Sequence, residues 1–123
     1  MAKASPQILH VEDDLDLGKY IQLILTGKGE VTRVTTIEDA RQLIEQQDFD
    51  LILLDLTLPD GSGMELIDPL RAKAVAPPII IFSAHDVTDT LIGADYIFVK
   101  GHFLESDLSD AVDSLLSHPE TAS

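Results

Sequence analysis

The sequence predicts an α/β protein whose parallel β-sheet is covered by helices on both faces. Short apolar runs alternate along the chain with segments in which apolar residues recur every three or four positions, a pattern typical of alternating strands and helices. Two of the runs, 51–54 and 79–82, are apolar at every position, as expected for strands buried on both faces of a sheet. We therefore expect one three-layer domain.

The first half of the chain alternates strand, helix, strand, helix and strand. Residues 8–12 and 51–55 are predicted strands because each begins with a mainly apolar run of four residues. Residues 31–34 form a short strand, the most polar of the set, which we expect at a sheet edge. Helices are predicted at 16–27, which two glycines end, and at 38–47, because their apolar residues have helical spacing.

The second half continues the alternation. A helix begins near Gly63, and Pro69 within it should kink or shorten it. The remaining elements are a strand, a weak helix, a strand and a final helix, predicted at 79–83, 86–92, 96–99 and 104–116. We expect a domain over 8–117 between polar tails at 1–7 and 118–123.

Composition restricts the functional classes. The chain has 123 residues, 45% of them hydrophobic, enough for a real core. Its net charge of −14 argues against non-specific binding to nucleic acid or anionic membranes. It contains no cysteine, which excludes disulfides, zinc–thiolate sites and thiol catalysis. We find no signal peptide at the start and no apolar run long enough to span a membrane, so we expect a cytoplasmic protein.

Polar side chains follow four of the predicted strands at the point where each strand ends. Glu12 ends the first strand and Asp13 follows it, and Asp55, Ser83 and Lys100 end or follow three others. The five strands fit the doubly wound order 2-1-3-4-5, in which ligands bind at the carboxyl edge, in the crevice between strands 1 and 3. This set of side chains could hold a divalent cation and a phosphoryl group beside a carboxylate nucleophile.

On these residues the chain resembles the receiver domain of two-component response regulators, which has a flavodoxin-like (CheY-like) fold. The matching segments are ILHVEDD at 8–14, DLILLDLTLPDGSG at 50–63, FSA at 82–84 and Lys100. Each segment alone is weak evidence, but all four occur in order and each ends a predicted strand. The resemblance covers the chain from Ile8 to about Leu116.

The resemblance implies that Asp55 is the phosphoacceptor and that Mg²⁺ is the cofactor. Asp13 and Asp55 would be metal ligands, Glu12 would hold a metal-bound water, and the backbone carbonyl of Thr57 would complete the set. The metal would neutralise charge during phosphoryl transfer. Asp14 or Asp16 would instead cap the first helix.

The resemblance also implies roles for Ser83 and Lys100, which would donate to the phosphoryl oxygens once the group is attached. Ala84 is small and would leave the phosphorus accessible. The implied partners are a histidine kinase or a histidine phosphotransfer domain and a downstream protein target. The implied activity is at most the domain's own phosphorylation and dephosphorylation.

Three departures from the family pattern concern the region after the predicted strand at 79–83. Gly101 stands where the family usually has proline, so a cis peptide bond after Lys100 is in question. Ile97 stands where many members carry the aromatic residue that reports phosphorylation, and Tyr96 should point to the opposite face. The crossover at 84–95 is also short, as in receivers fused to hybrid histidine kinases.

Other interpretations remain open at this point. A pseudo-receiver, an interaction module that does not use phosphate, would fit the missing aromatic. A haloacid-dehalogenase-like phosphatase would need a second aspartate where Thr57 stands, and a flavin or dinucleotide binder would need a glycine-rich loop where Glu12 and Asp13 stand. His10, inside a core strand, is expected to be buried with its hydrogen bonds satisfied.

Overall fold

The predicted parallel sheet is present in the computed structural model of the chain, which describes residues 5–84 and 94–116. Its five strands are β1 (Gln7–Val11), β2 (Glu30–Val34), β3 (Leu51–Asp55), β6 (Ile79–Ser83) and β7 (Tyr96–Val99). They lie in the order β2-β1-β3-β6-β7, and every neighbouring pair is parallel. The α/β fold class and the order predicted for the five strands are thus confirmed.

Two further strands, β4 (Thr57–Leu58) and β5 (Gly61–Ser62), form a small antiparallel hairpin directly after β3. The sequence analysis treated this segment as a loop. The hairpin is followed by a 3₁₀ helix at Gly63–Leu66. The α-helices are α1 (Leu15–Ile24), α2 (Ile37–Gln46), α3 (Ile67–Arg71) and α4 (Glu105–Leu116).

Helix α1 begins one residue earlier and ends three residues earlier than predicted. It begins after Asp14, whose side chain accepts a hydrogen bond from the Leu17 N–H at 3.0 Å, so Asp14 is the residue that caps it. It ends because the chain then turns, with Gly27 in the left-handed region at φ +84°. The last predicted helical residues therefore belong to this turn.

Helix α3 is short, as the proline within it predicted. The 3₁₀ helix leads into the five residues of α3, and Pro69 lies in the first turn of α3, where a missing N–H breaks no hydrogen bond of the helix. The predicted helix at 86–92 and the predicted tail at 118–123 lie outside the described residues. Among the described residues, no helix has the length and apolar character needed to cross a membrane.

The sheet buries a separate apolar cluster on each face, because successive side chains of a strand point to opposite faces. One cluster joins alternate residues of β1, β3 and β6 to α2 and α3, and includes Leu9, Ile52, Leu54 and Ile81. The other joins the intervening residues to α1 and α4, and includes Ile8, Leu53, Ile80 and Phe82. All five residues of β3 are buried, so close packing on both faces of the sheet holds the strand that carries Asp55 in place.

Strand β7 separates its apolar and aromatic side chains between the two faces. Ile97 packs against the cluster beside α2 and α3. Tyr96 stacks on Phe98 with ring centroids 6.2 Å apart, and Phe98 contacts Phe82 and Phe103 on the face beside α1 and α4. Tyr96 therefore points away from the face of Ile97, as expected.

Gly63 holds the hairpin against β3, and alanine at this position should destabilise the fold. The Gly63 N–H donates to the Leu56 carbonyl at 2.8 Å, and an added Cβ would overlap the Asp55 carbonyl oxygen. Backbone cannot yield as a side chain can, so we expect Gly63→Ala to lower the free energy of unfolding by about 1–3 kcal/mol. Urea unfolding measures this.

Gly27→Ala is the matched control, because a Cβ there meets nothing within 4 Å and only its positive φ is strained. We expect about 1 kcal/mol for that substitution. Equal losses for the two variants would contradict the proposed overlap at Gly63.

Candidate functional site

The candidate site lies at the carboxyl edge of the sheet, where four strands deliver polar side chains. Asp55 and Ser83 are the last residues of β3 and β6, and Lys100 follows β7 directly. Glu12 and Asp13 follow β1. Backbone pairing continues one residue beyond three of the strands, through hydrogen bonds from the N–H groups of Glu12, Leu56 and Lys100. The side chains thus project from backbone that is held in place.

Asp55 is the centre of the site. Its side chain is only 1% exposed, and both carboxylate oxygens have partners. Oδ2 accepts from Lys100 Nζ at 2.9 Å, and Oδ1 accepts from the Thr57 N–H at 3.1 Å. Partial burial acts to lower the pKa of Lys100, but the hydrogen bond with Asp55 and the charge of Glu12 outweigh it, so this pKa lies above its ordinary value. Lys100 is therefore a permanent cation beside Asp55.

Glu12 is a second buried carboxyl group, with no solvent exposure. Its Oε2 accepts from the Asp14 N–H at 3.0 Å and lies 3.8 Å from Lys100 Nζ, but its Oε1 has no hydrogen-bond partner among the described residues. Burial, together with the charge of Asp55, raises the pKa of Glu12 to about 7. The surrounding groups therefore compensate only part of the negative charge that Glu12 carries when it is ionised.

The donor set fits a hard divalent cation. One carboxylate oxygen each from Glu12, Asp13 and Asp55 can be chosen so that all three lie within 4.8 Å of one another. Asp13 is exposed, whereas the other two are buried, so solvent reaches the cluster at Asp13. Mg²⁺ prefers such oxygen ligands and keeps several waters, and the unpartnered Glu12 Oε1 offers one of them an acceptor. Thr57 lies in β4, two residues after Asp55, and the role of its carbonyl stays a prediction.

Ser83 and Lys100 are joined through the backbone. The Lys100 N–H donates to the Ser83 carbonyl at 2.8 Å, and Ser83 is buried. The peptide bond between Lys100 and Gly101 is trans, and Gly101 has φ +78°, a conformation that favours glycine. The residue after Lys100 is therefore glycine because the chain turns there in the left-handed region, which proline could not adopt.

His10 was expected to have satisfied hydrogen bonds, and this was wrong. Its ring is fully buried, but neither nitrogen has a hydrogen-bond partner among the described residues. The ring lies beside Phe82, with centroids 6.4 Å apart, in an apolar environment. Burial lowers its pKa to about 4, and the charges of Arg33 and Lys100 act in the same direction. His10 is therefore neutral near pH 7.

Two residues next to the site were missed by the sequence analysis. Asp60 accepts hydrogen bonds from the N–H groups of Ile37 and Glu38 at 2.9 and 3.1 Å, and so fastens the hairpin to the start of α2. Arg33 donates to the backbone carbonyl of Glu12. The turn sequence around Asp60 was visible, but both contacts join residues more than twenty positions apart, and local patterns do not encode such pairs.

The buried carboxyl of Glu12 should make the stability of the metal-free protein depend on pH. A pKa raised from 4.5 to about 7 in the folded state means that ionisation opposes folding increasingly between those values, and fully above about pH 7. Glu12→Gln mimics the protonated form. With metal chelated, we expect this variant to match the parent near pH 4.5 and to be more stable by roughly 1–2 kcal/mol at pH 8.

Thermal melts across this pH range test the prediction. Glu45→Gln, at an exposed position of α2, is the control and should show no such trend. A stability gain for Glu12→Gln that is equal at pH 4.5 and pH 8 would show that ionisation of Glu12 does not oppose folding.

Comparison with known proteins identifies the family. The response regulator receiver domain matches residues 8–105 of the chain. The swarming motility regulation protein RssB of Serratia marcescens is 43% identical over 88 residues, which are 71% of this chain and 40% of that protein. The chain thus spans less than half the length of this relative.

Solved structures agree in fold. The signal receiver domain of a putative Luxo repressor protein from Vibrio parahaemolyticus has a TM-score of 0.83 and 29% identity, covering 92% of this chain and 91% of that one. The receiver domain of sensor histidine kinase PA1611 from Pseudomonas aeruginosa has a TM-score of 0.79 and 25% identity, covering 93% and 99%, and holds a magnesium ion in its active site cleft. The chain described here belongs to the response regulator receiver domain family.

Proposed function

We propose that this receiver domain accepts a phosphoryl group on Asp55 in a reaction that depends on Mg²⁺. The observation that carries the proposal is the environment of Asp55, a buried carboxylate fixed by Lys100 at 2.9 Å beside the acidic pair Glu12 and Asp13. A carboxylate held in this way is positioned to attack phosphorus, provided that a cation offsets the negative charge around it.

The donor would be the phosphohistidine of a histidine kinase or of a histidine phosphotransfer domain. One Asp55 carboxylate oxygen would form the new bond to phosphorus while the bond from phosphorus to the histidine nitrogen breaks. The bonding electrons would stay on that nitrogen, which can then be protonated. The Thr57 N–H and Lys100 Nζ would hold the Asp55 carboxylate in one orientation during the attack.

Magnesium would be bound by Asp13 and Asp55, through a water by Glu12, and by the carbonyl of Thr57. The support is the cluster of three carboxylate oxygens within 4.8 Å, together with the magnesium ion in the receiver domain from Pseudomonas aeruginosa. When bound, Mg²⁺ supplies positive charge to the phosphoryl oxygens. The raised pKa of Glu12 would fall near such a cation, because an adjacent positive charge stabilises the ionised carboxylate.

Lys100 and Ser83 would stabilise the product. The side chain of Lys100 is 27% exposed, and its Nζ could turn from Asp55 to a phosphoryl oxygen without leaving the site. Ser83, linked to the Lys100 backbone, would offer its hydroxyl to another oxygen. Ala84 is exposed at the same edge and, being small, would leave the phosphorus open to its donor.

We propose further that the functional unit is the domain at 8–117, that it acts in the cytoplasm, and that its partners are the phosphodonor and a downstream protein target. Its net charge of −14 disfavours nucleic acid or membrane as partners of this domain itself. Catalytic turnover would be limited to its own phosphorylation and dephosphorylation. The competing pseudo-receiver function is suggested by Ile97, but every side chain that the acceptor chemistry needs is present.

Asp55→Asn should abolish phosphorylation, because an amide cannot form the acyl phosphate. We expect intact-mass spectrometry after incubation with acetyl phosphate and Mg²⁺ to show one added phosphoryl group on the parent and none on the variant. Asp48→Asn, at an exposed position, is the control and should label like the parent. Equal labelling of Asp55→Asn would sink the assignment, and no labelling of the parent, with no Mg²⁺-dependent binding of beryllofluoride, would favour the pseudo-receiver.

Asp13→Ala should abolish Mg²⁺ binding and stabilise the metal-free fold. The substitution removes one of three clustered carboxylates, and with it a ligand and a source of repulsion. We expect the melting temperature without metal to rise by a few degrees, and the further rise that Mg²⁺ gives the parent to disappear. Asp16→Ala, on the exposed side of α1, should keep the response to Mg²⁺. A full Mg²⁺ response in Asp13→Ala would contradict the ligand assignment.

A further inference from the structure

The side chain of Arg33 connects the edge strand β2 to the turn that carries the acidic pair. Arg33 lies opposite His10 in the pairing of β1 with β2, and it is half-buried. Its Nη1 donates a hydrogen bond to the backbone carbonyl of Glu12, twenty-one residues earlier in the chain. This contact reaches the backbone of the site without touching the carboxylates.

Arg33 supplies a donor that the sheet no longer provides. In a strand, the N–H and the C=O of one residue point to the same side. The Glu12 N–H points to β2 and donates to the Val34 carbonyl at 2.9 Å. Strand β2 ends at Val34, so no further residue of this strand follows to pair with the Glu12 carbonyl. The guanidinium of Arg33 takes that place, and the backbone of Glu12 is thereby held on both of its polar groups.

Gly18 leaves the space through which Arg33 passes. A Cβ at Gly18 would lie 2.9 Å from Arg33 Cδ and 3.1 Å from Nε, closer than normal contacts. Gly18 is buried inside α1, where glycine costs roughly 0.5–1 kcal/mol relative to alanine. Glycine is unfavourable inside a helix, and Gly18 lies against the aliphatic part of the Arg33 side chain. This indicates that the position must stay free of a Cβ for Arg33 to pass.

The turn that Arg33 holds determines where the metal-binding carboxylates lie. Glu12 Oε2 accepts from the Asp14 N–H at 3.0 Å, and Asp13, between them, is exposed at the open side of the cluster. Asp14 then caps α1. A backbone change at Glu12 would therefore move both carboxylates at once.

We propose that Arg33 is a positioning residue of the acceptor site, which fixes the turn at 12–14 so that Glu12 and Asp13 face the cation, and that Gly18 serves to admit it. The inference rests on the proposed Mg²⁺ site. The change in Mg²⁺ affinity that this role predicts on removal of Arg33 is opposite in direction to the change expected from its charge alone. As a cation near the site, Arg33 would repel Mg²⁺, and its removal would tighten binding. As a positioning residue, its removal weakens binding.

Calorimetric titration of the whole chain with Mg²⁺ separates these effects. We expect Arg33→Met, which keeps an apolar stem, to weaken Mg²⁺ binding about tenfold, since loss of a group that orients metal ligands typically costs that much or more. Arg33→Lys should recover part of the affinity. Gly18→Ala keeps every charge but obstructs the stem, and it should weaken binding several-fold. In an Arg33→Met background, Gly18→Ala should have no further effect on affinity.

Amide hydrogen exchange of the metal-free protein gives a second readout. The Asp14 N–H, which donates to Glu12, should exchange faster in Arg33→Met and in Gly18→Ala than in the parent. A merely structural Arg33 would lower the melting temperature and leave both Mg²⁺ affinity and Asp14 exchange unchanged.

Unchanged or tighter Mg²⁺ binding in Arg33→Met would overturn the role of Arg33. Weaker binding on Gly18→Ala in the Arg33→Met background would overturn the role of Gly18. If the parent itself binds no Mg²⁺, the proposed function fails, and the exchange of Asp14 alone then decides whether Arg33 holds the turn.

Discussion

The ion pair between Lys100 and Asp55 is the interaction on which the site depends. Two carboxyl groups, of Asp55 and Glu12, are buried at the edge of the sheet, and a third, of Asp13, lies beside them. Burying charge is costly unless it is paired, and Lys100 is the cation that contacts both buried groups. One ammonium cannot balance three carboxylates. Burial, together with the charge of Asp55, raises the pKa of Glu12, and this uncompensated negative charge is the physical reason to propose a further cation at the site.

The fold makes this arrangement possible by making the backbone rigid around it. Strand β3 is buried along its whole length between two apolar clusters, and the sheet pairing continues past the strand ends to Leu56 and Lys100. The hairpin after β3 is fixed through Gly63 on one side and Asp60 on the other. Repulsion among the carboxylates therefore cannot relax by local movement of β3.

The positions of Asp55, Ser83 and Lys100 could be predicted because each ends or follows a strand whose apolar pattern is unmistakable, and parallel strands bring their carboxyl ends together. The surroundings of His10 and the contact made by Arg33 could not be predicted in this way. Whether a buried ring finds a partner depends on side chains from other elements, and the sequence carried no sign that the environment of His10 is apolar. Arg33 reads as an ordinary charge on an edge strand, and its role is visible only once Gly18 is seen beside it.

The aromatic residues on the face beside α1 and α4 form a continuous path from the site to the surface. It runs from His10, two residues before Glu12, through Phe82 and Phe98 to Tyr96, a residue that is 38% exposed. The chain has no tryptophan and only two tyrosines. Tyr96 is thus a native fluorophore in contact with the strand that ends in Ser83. Replacing Tyr20 by phenylalanine would leave Tyr96 as the single tyrosine, so that ultraviolet emission of the unlabelled domain would report on the packing of these aromatic rings.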